Sequence, residues 1–358
     1  MSTDERLRSL KLFDESKAGV KGIADSGTSE IPHIFKNKDV INCLKPSPSQ
    51  FNIPVIDLEG VEATGYARAS TINRVRDACQ KWGFFQIINH GVPSSVMAEM
   101  MVATRRFHEQ DAEVKKQFYS RDNTKTFLYN SNFDLYEAPS TNWRDTFQCI
   151  LAPHAPDTDK LPTVCRDVML KYSNYVKNVG LTIFELLSEA LGLKPNHLKD
   201  MGTAEGLLML GHYYPPCPEP DMTLGFTSHS DSGFITILLQ DEIGGLQVQY
   251  ENEWIDVPHI PEAFVVNVAD MLQLISNDAF RSSFHRVVPK SIGARISVAC
   301  LFVIITESEI SSRLFGPIKE LLSDKNSAIY REVTAIDFVN QLYKQGFGNI
   351  PTLTYFKL

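Results

Sequence analysis

The sequence predicts an α+β protein with a double-stranded β-helix (jelly-roll, cupin-like) core, an N-terminal helical region and flanking helices. Two observations carry this. After Gly206 the apolar residues come in short runs (207–214, 234–239, 246–250, 264–268, 272–275 and 296–305) separated by Gly, Pro and Asn. Many short strands with regular turn signals are the mark of a sandwich or jelly roll. Before Gly206 the apolar positions recur at three and four, the period of helices that bury one face. No segment repeats at a fixed period. Four regions follow: an arm and connector over 1–50, a mostly helical region over 51–200, the jelly-roll core over 201–310 and a helical tail over 311–358.

Taken in order, residues 4–24 carry Leu7, Leu10, Phe13, Val20 and Ile23 at helical spacing, interrupted by Gly19 and Gly22. The stretch to Ser49 holds Pro32, Pro46 and Pro48 and reads as an extended connector. Residues 53–58 predict a strand. From 64 to 82, Ile72, Val75, Ala78, Cys79 and Trp82 line one helical face, and Gly83 stops the helix. Residues 84–88 form a buried strand, after which His90 has a turn or cap role and Pro93 opens a helix toward His108. His108, beside Arg105 and Arg106, is placed on a solvated face. Residues 119–142 are irregular, and 145–150 start the sheet. The span 165–191 is the most regular helical pattern, closed by Gly192. A tail helix over 324–344 folds back over the barrel mouth.

Composition narrows the function classes. The net charge of −8 and pI near 5.6 exclude a phosphate-binding surface as the main interface, because phosphate binding needs a basic field. Neither nucleic acid nor a membrane is expected as a partner. No run of about 18 apolar residues occurs, and the first six residues carry charges, so a cytosolic protein is expected. The six cysteines show no CxxC pair and are read as reduced. No heptad or self-pairing strand stands out, and a monomer is expected.

The chemistry concentrates between 211 and 297. His229 and Asp231 stand two apart, and on an extended chain such residues share a face. His285 follows 54 residues after Asp231. Two histidines and one carboxylate that leave other positions open suit non-haem Fe(II). Ten residues beyond His285 come Arg295 and Ser297, again two apart. A guanidinium and a hydroxyl on one face make a fork for a buried carboxylate. A thiolate at Cys217 would make the centre zinc-like, and the histidine–carboxylate set already suffices.

With Tyr213-Tyr214-Pro215-Pro216-Cys217-Pro218, His229-Ser230-Asp231, Phe284-His285-Arg286-Val287 and Arg295-Ile296-Ser297, the chain resembles the plant-type 2-oxoglutarate and Fe(II)-dependent dioxygenases from about Ile53 to Leu358. Residues 13–22 (FDESKAGVKG), Ile31-Pro32, Asn142-Trp143-Arg144-Asp145 and Gly211-His212-Tyr213-Tyr214 resemble its subgroup of deacetoxyvindoline 4-hydroxylase and the 1-aminocyclopropane-1-carboxylate oxidase homologues.

The resemblance implies iron at His229, Asp231 and His285, with 2-oxoglutarate as co-substrate and ascorbate as activator. The far carboxylate of the oxo acid would meet Arg295 and Ser297, with Tyr214 as a third donor. His212 stands where the wider family often has Asn and is expected beside the co-substrate. The resemblance also sets residues 119–142 at the pocket, which makes Tyr129, Phe133 and Tyr136 candidates for substrate contact. Leu301 replaces an aromatic of many relatives and implies a wider wall. The implied reaction is hydroxylation of a plant specialised metabolite, an alkaloid, steroidal or phenolic compound. The alternatives are an ascorbate-dependent oxidase of the 1-aminocyclopropane-1-carboxylate type, a desaturase or demethylase, and last a non-catalytic binding protein.

Overall fold

The computed structural model describes residues 2–37, 40, 51–62, 65–305, 312–345 and 352–358. The connector residues Pro46 and Pro48, with Cys43, lie outside the described residues. The arm forms α1 (Thr3–Ser16) and α2 (Gly19–Asp25). Ser2 and Glu5 cap α1 reciprocally, satisfying two amide donors that a helix start otherwise leaves bare. The arm is fastened to the body by the buried Asp145 carboxylate, which accepts the backbone N–H groups of Val20 at 2.7 Å and Lys21 at 2.9 Å.

Next come β1 (Val55–Asp57), α3 (Tyr66–Lys81), β2 (Phe84–Ile88), α4 (Ser94–Glu109), α5 (Ala112–Lys116), β3 (Phe127–Asn130) and β4 (Asp145–Ala152). Gly83 ends α3 at φ 65°, where a Cβ would meet the Arg281 carbonyl oxygen at 2.1 Å, so no other residue fits this turn. The long α6 (Arg166–Ala190) and short α7 (His197–Asp200) precede the main run of strands. That run is β5 (Leu207–Tyr214), β6 (Phe226–His229), β7 (Ile235–Gln240), β8 (Leu246–Tyr250), β9 (Glu253–Asp256) and β10 (Phe264–Val268). It continues through α8 (Asp270–Ile275), β11 (His285–Val287) and β12 (Arg295–Phe302). The tail carries β13 (Leu314–Phe315), β14 (Val333–Thr334) and α9 (Ala335–Gln345).

The strands assemble into an eight-stranded sheet in the order β1-β2-β10-β7-β12-β5-β4-β3 and a four-stranded sheet in the order β6-β11-β8-β9. Only β1 and β2 pair in parallel within them. On β5 and β12 alternate residues divide cleanly. Met209, Val298, Cys300 and Phe302 join the large core beneath α4 and α6, whereas Leu208, Leu210, His212, Ser297, Ala299 and Leu301 face an inner cavity. Gly180 lets α6 approach closely, because a Cβ there would meet the Phe302 ring at 2.1 Å.

Two expectations are corrected. His108 is fully buried on α4, one turn beyond Thr104 on the stripe that also holds Met100. Arg106, two residues before it, lies about 200° around the helix and is exposed, while Arg105 turns outward to Glu109 at 3.3 Å. Residues 272–275 belong to the helix α8, a short apolar run whose period could not separate helix from strand. Strands β1 to β4 from the first 200 residues join the same sheet as β5, β7, β10 and β12, in keeping with the expectation that 145–150 start the sheet.

Candidate active site

Three donor groups converge where β6 meets β11. The register sets His285 directly opposite His229, with ring centroids 4.2 Å apart. Asp231 lies two residues past the end of β6, and its carbonyl accepts the Asp270 amide at 2.8 Å. Oδ1 of Asp231 stands 3.7 Å from Nε2 of His229 and 3.6 Å from Nε2 of His285. All three ligand atoms fall within 4.8 Å of one another.

Each donor is held by its other polar atom. His229 Nδ1 donates to the Thr227 carbonyl at 2.8 Å and His285 Nδ1 to the Ser283 carbonyl at 3.3 Å. A carbonyl only accepts, so both rings carry a proton on Nδ1 and turn Nε2 inward. The second oxygen of Asp231 accepts Thr236 Oγ1 at 2.6 Å and Asn267 Nδ2 at 2.8 Å, leaving Oδ1 for the centre. Burial, and next His285, push the His229 imidazole down to about 3, so it is neutral. Burial raises the Asp231 carboxyl, but the two imidazoles and its hydrogen bonds outweigh it and hold the group below its ordinary value. Two imidazole Nε2 atoms beside an ionised carboxylate are the donor set that fits a divalent cation.

Across the cavity, β12 presents the carboxylate fork. Arg295 donates to Ser297 Oγ at 2.9 Å and to Gln240 Oε1 at 3.1 Å, and its Cζ lies 4.9 Å from the Tyr214 ring centroid. Tyr214 is opposite Arg295 and His212 opposite Ser297 in the β5–β12 register. His212 Nδ1 meets Thr146 Oγ1 at 2.9 Å. Burial, with the Arg144 and Arg295 charges behind it, keeps this imidazole far below its ordinary value and neutral.

The expected site residues divide by location. His229, Asp231, His285, Arg295, Ser297, His212, Phe133 and Leu301 all line one cavity. Tyr214 packs against it beneath Arg295. Tyr129 does not line it. On β3 the side chains alternate, so Leu128 and Asn130 face the cavity while Tyr129 turns into the core against Phe107 and His108. Tyr136 is 41% exposed and donates its hydroxyl to Asp14 at 2.8 Å, fastening the arm instead.

Sequence reasoning missed Thr236, Asn267, Gln240 and Arg144. The first three carried a signal: each is a polar interruption of an apolar strand, and a buried polar side chain must find a partner.

Comparison with known proteins agrees with this geometry. The family described as the 2OG-Fe(II) oxygenase superfamily matches residues 205–303, and the N-terminal family of the non-haem dioxygenase in morphine synthesis matches 53–167. The chain is 53% identical to deacetoxyvindoline 4-hydroxylase of Catharanthus roseus, over all of this chain and 91% of that protein. It belongs to the 2-oxoglutarate/Fe(II)-dependent oxygenase superfamily. It is also 51% identical to 1-aminocyclopropane-1-carboxylate oxidase homolog 1 of Arabidopsis thaliana, over 99% of this chain and 97% of that one. Among solved structures, JOX2 in complex with 2OG, Fe and JA superposes with a TM-score of 0.83 at 30% identity, covering 95% of this chain and 97% of that chain. The oxygenase is therefore a 2-oxoglutarate- and Fe(II)-dependent enzyme with a jelly-roll core. No helix among its described residues is long and apolar enough to cross a membrane.

Proposed function

We propose that this oxygenase hydroxylates an unactivated C–H bond of a plant specialised metabolite, with His229, Asp231 and His285 as iron ligands. The observation that carries the proposal is the facing of two donor sets across one cavity, a two-histidine, one-carboxylate corner and the Arg295–Ser297 fork. Fe(II) with 2-oxoglutarate and O2 supplies the oxidising chemistry, with succinate and CO2 as co-products. The chain's residues do the rest. Thr236 and Asn267 aim one oxygen of Asp231 at the metal, and the Thr227 and Ser283 carbonyls aim both imidazoles.

Arg295 and Ser297, with Tyr214 beside them, receive the far carboxylate of the oxo acid, and neutral His212 lines the path between fork and metal corner. Phe133 and Leu301, with Leu342 of α9, form the apolar wall for the metabolite. Ascorbate would serve as an activator, the reductant that keeps bound iron ferrous. The same proposal places a monomer in the cytosol. It is supported by the described cysteines Cys79, Cys149, Cys165, Cys217 and Cys300, all buried and free, as in a reducing compartment.

The test is anaerobic titration of the Fe(II)-loaded protein with 2-oxoglutarate, read by the weak visible charge-transfer band of a chelated keto acid. The band, followed by metabolite-dependent succinate release, is the expected result. Iron binding without the band overturns the proposal and favours the ascorbate-dependent oxidase chemistry.

A further inference from the structure

Arg144 is a buried cation that neither the metal corner nor the fork explains. It is 2% exposed, lines the same cavity and leaves Nε and one terminal nitrogen without a hydrogen-bond partner. Its Cζ sits 3.5 Å over the Phe226 ring, which also stacks on the His229 imidazole at 3.9 Å and meets the His212 ring edge-on at 6.1 Å. An unpaired buried charge costs several kcal/mol, so a guanidinium kept in this position calls for an anion.

The sheet register says which anion. Asp145 pairs with Tyr213, so Arg144 is level with Tyr214, and Tyr214 pairs with Arg295. Arg144, the residue just before β4, thus extends the row of Tyr214 and Arg295 on β5 and β12, beside the row of Thr146, His212, Ser297 and Gln240. Leu301, on the apolar wall, is six residues further along β12, roughly 20 Å of strand away. The second guanidinium therefore belongs with the far carboxylate of the oxo acid, at the end opposite the metabolite wall. Burial lowers the Arg144 pKa, while Tyr214, Asp134 and a hydrogen bond to Tyr214 support its charged form.

We infer that Arg144 is a positioning residue for the co-substrate, fixing the Tyr214 phenol between two guanidiniums in the row that receives the distal carboxylate. The inference rests on the 2-oxoglutarate reading above and names a group outside the Arg295–Ser297 fork. The competing role is structural. Asp134 is a buried carboxylate whose field reaches Arg144, and it too leaves an oxygen without a partner.

The experiment is the anaerobic 2-oxoglutarate titration of the Fe(II)-loaded full chain, together with Mn(II) affinity, on wild type, Arg144→Met, Tyr214→Phe, the double variant and Asp134→Asn. In Arg144→Met the 2-oxoglutarate Kd rises roughly tenfold, the worth of one charge-assisted hydrogen bond, while metal affinity stays within about twofold. Because one residue acts through the other, the double variant is no worse than the weaker single variant. Should Arg144→Met fail to fold, Arg144→Lys, which keeps the charge and loses the planar fork, gives the same reading with a smaller rise. An unchanged Kd in the Arg144 variants overturns the inference alone. So do penalties that multiply in the double variant, an equal loss of metal affinity, or an equal Kd rise in Asp134→Asn. Wild type that binds metal and not 2-oxoglutarate overturns the co-substrate reading itself, and this inference with it.

Discussion

The metal corner and the cationic row stand on facing parts of one cavity and are finished in opposite ways. At the corner every polar atom that does not point at the centre is engaged: both Nδ1 atoms by carbonyls, one Asp231 oxygen by Thr236 and Asn267. In the row, Arg295 retains an unpartnered Nε and Arg144 two unpartnered nitrogens. In the proposed reading the corner holds one small cation, whose ligand directions must be fixed beforehand, and the row holds a flexible dianion, which can itself supply partners to spare donors.

The largest expected effect breaks the corner. Asp231→Ala removes the carboxylate that, among the described residues, stands with the two histidines, and turnover falls below detection with metal affinity lost, measured by metal titration and succinate release. Iron-supplied Asp231→Ala with wild-type turnover would contradict the ligand set. Arg295→Ala attacks the row instead. It raises the 2-oxoglutarate Kd by roughly a hundredfold, the scale for truncating one member of a buried charged contact, and leaves metal binding in place. Should Arg295→Ala lose metal first, the division between corner and row is wrong. Asn267→Ala sharpens the comparison. Metal affinity drops about 10- to 100-fold, as for groups that orient a ligand, and a chelator competition assay reads it.

The smallest effect lies on stability, and on the outer face of the strand that carries His212. Burial pushes His108 down to about 3 from an ordinary 6.5, opposed by its donation to the Gly211 carbonyl at 2.9 Å and reinforced by Lys115 and Lys21. The unfolded chain takes up this proton below about 6.5 and the folded protein only near 3. Stability is therefore full above 6.5 and falls with acidification through that window, by about 1.4 kcal/mol per pH unit for this group. Urea unfolding of His108→Gln between pH 6.5 and 5 should show a slope shallower by one proton. An unchanged slope would mean that His108 protonates in the folded state.

Much of this was legible beforehand, and the limits are instructive. The helices α3 and α6 followed from apolar spacing at three and four with glycine stops, α4 from Pro93 at its start, and β5, β8 and β10 from short apolar runs. The strands β6, β9 and β11 escaped because FTSH, EWID and HRV hold too few apolar residues to show a period. Tyr129 was misplaced by one residue of parity, since Leu128 and Asn130 take the cavity face.

The sequence by itself determined which donors exist and which pairs share a face. His229 with Asp231, and Arg295 with Ser297, are two apart, and the pleat of an extended chain settles the rest. Only the tertiary structure decided which strand lies beside which. The pairing of His285 with His229, the reach of Asn267 to Asp231 and the row of Arg144, Tyr214 and Arg295 all join residues far apart in the chain. Register is a property of two strands at once, fixed by packing on both faces of the sheet, and no single segment contains it.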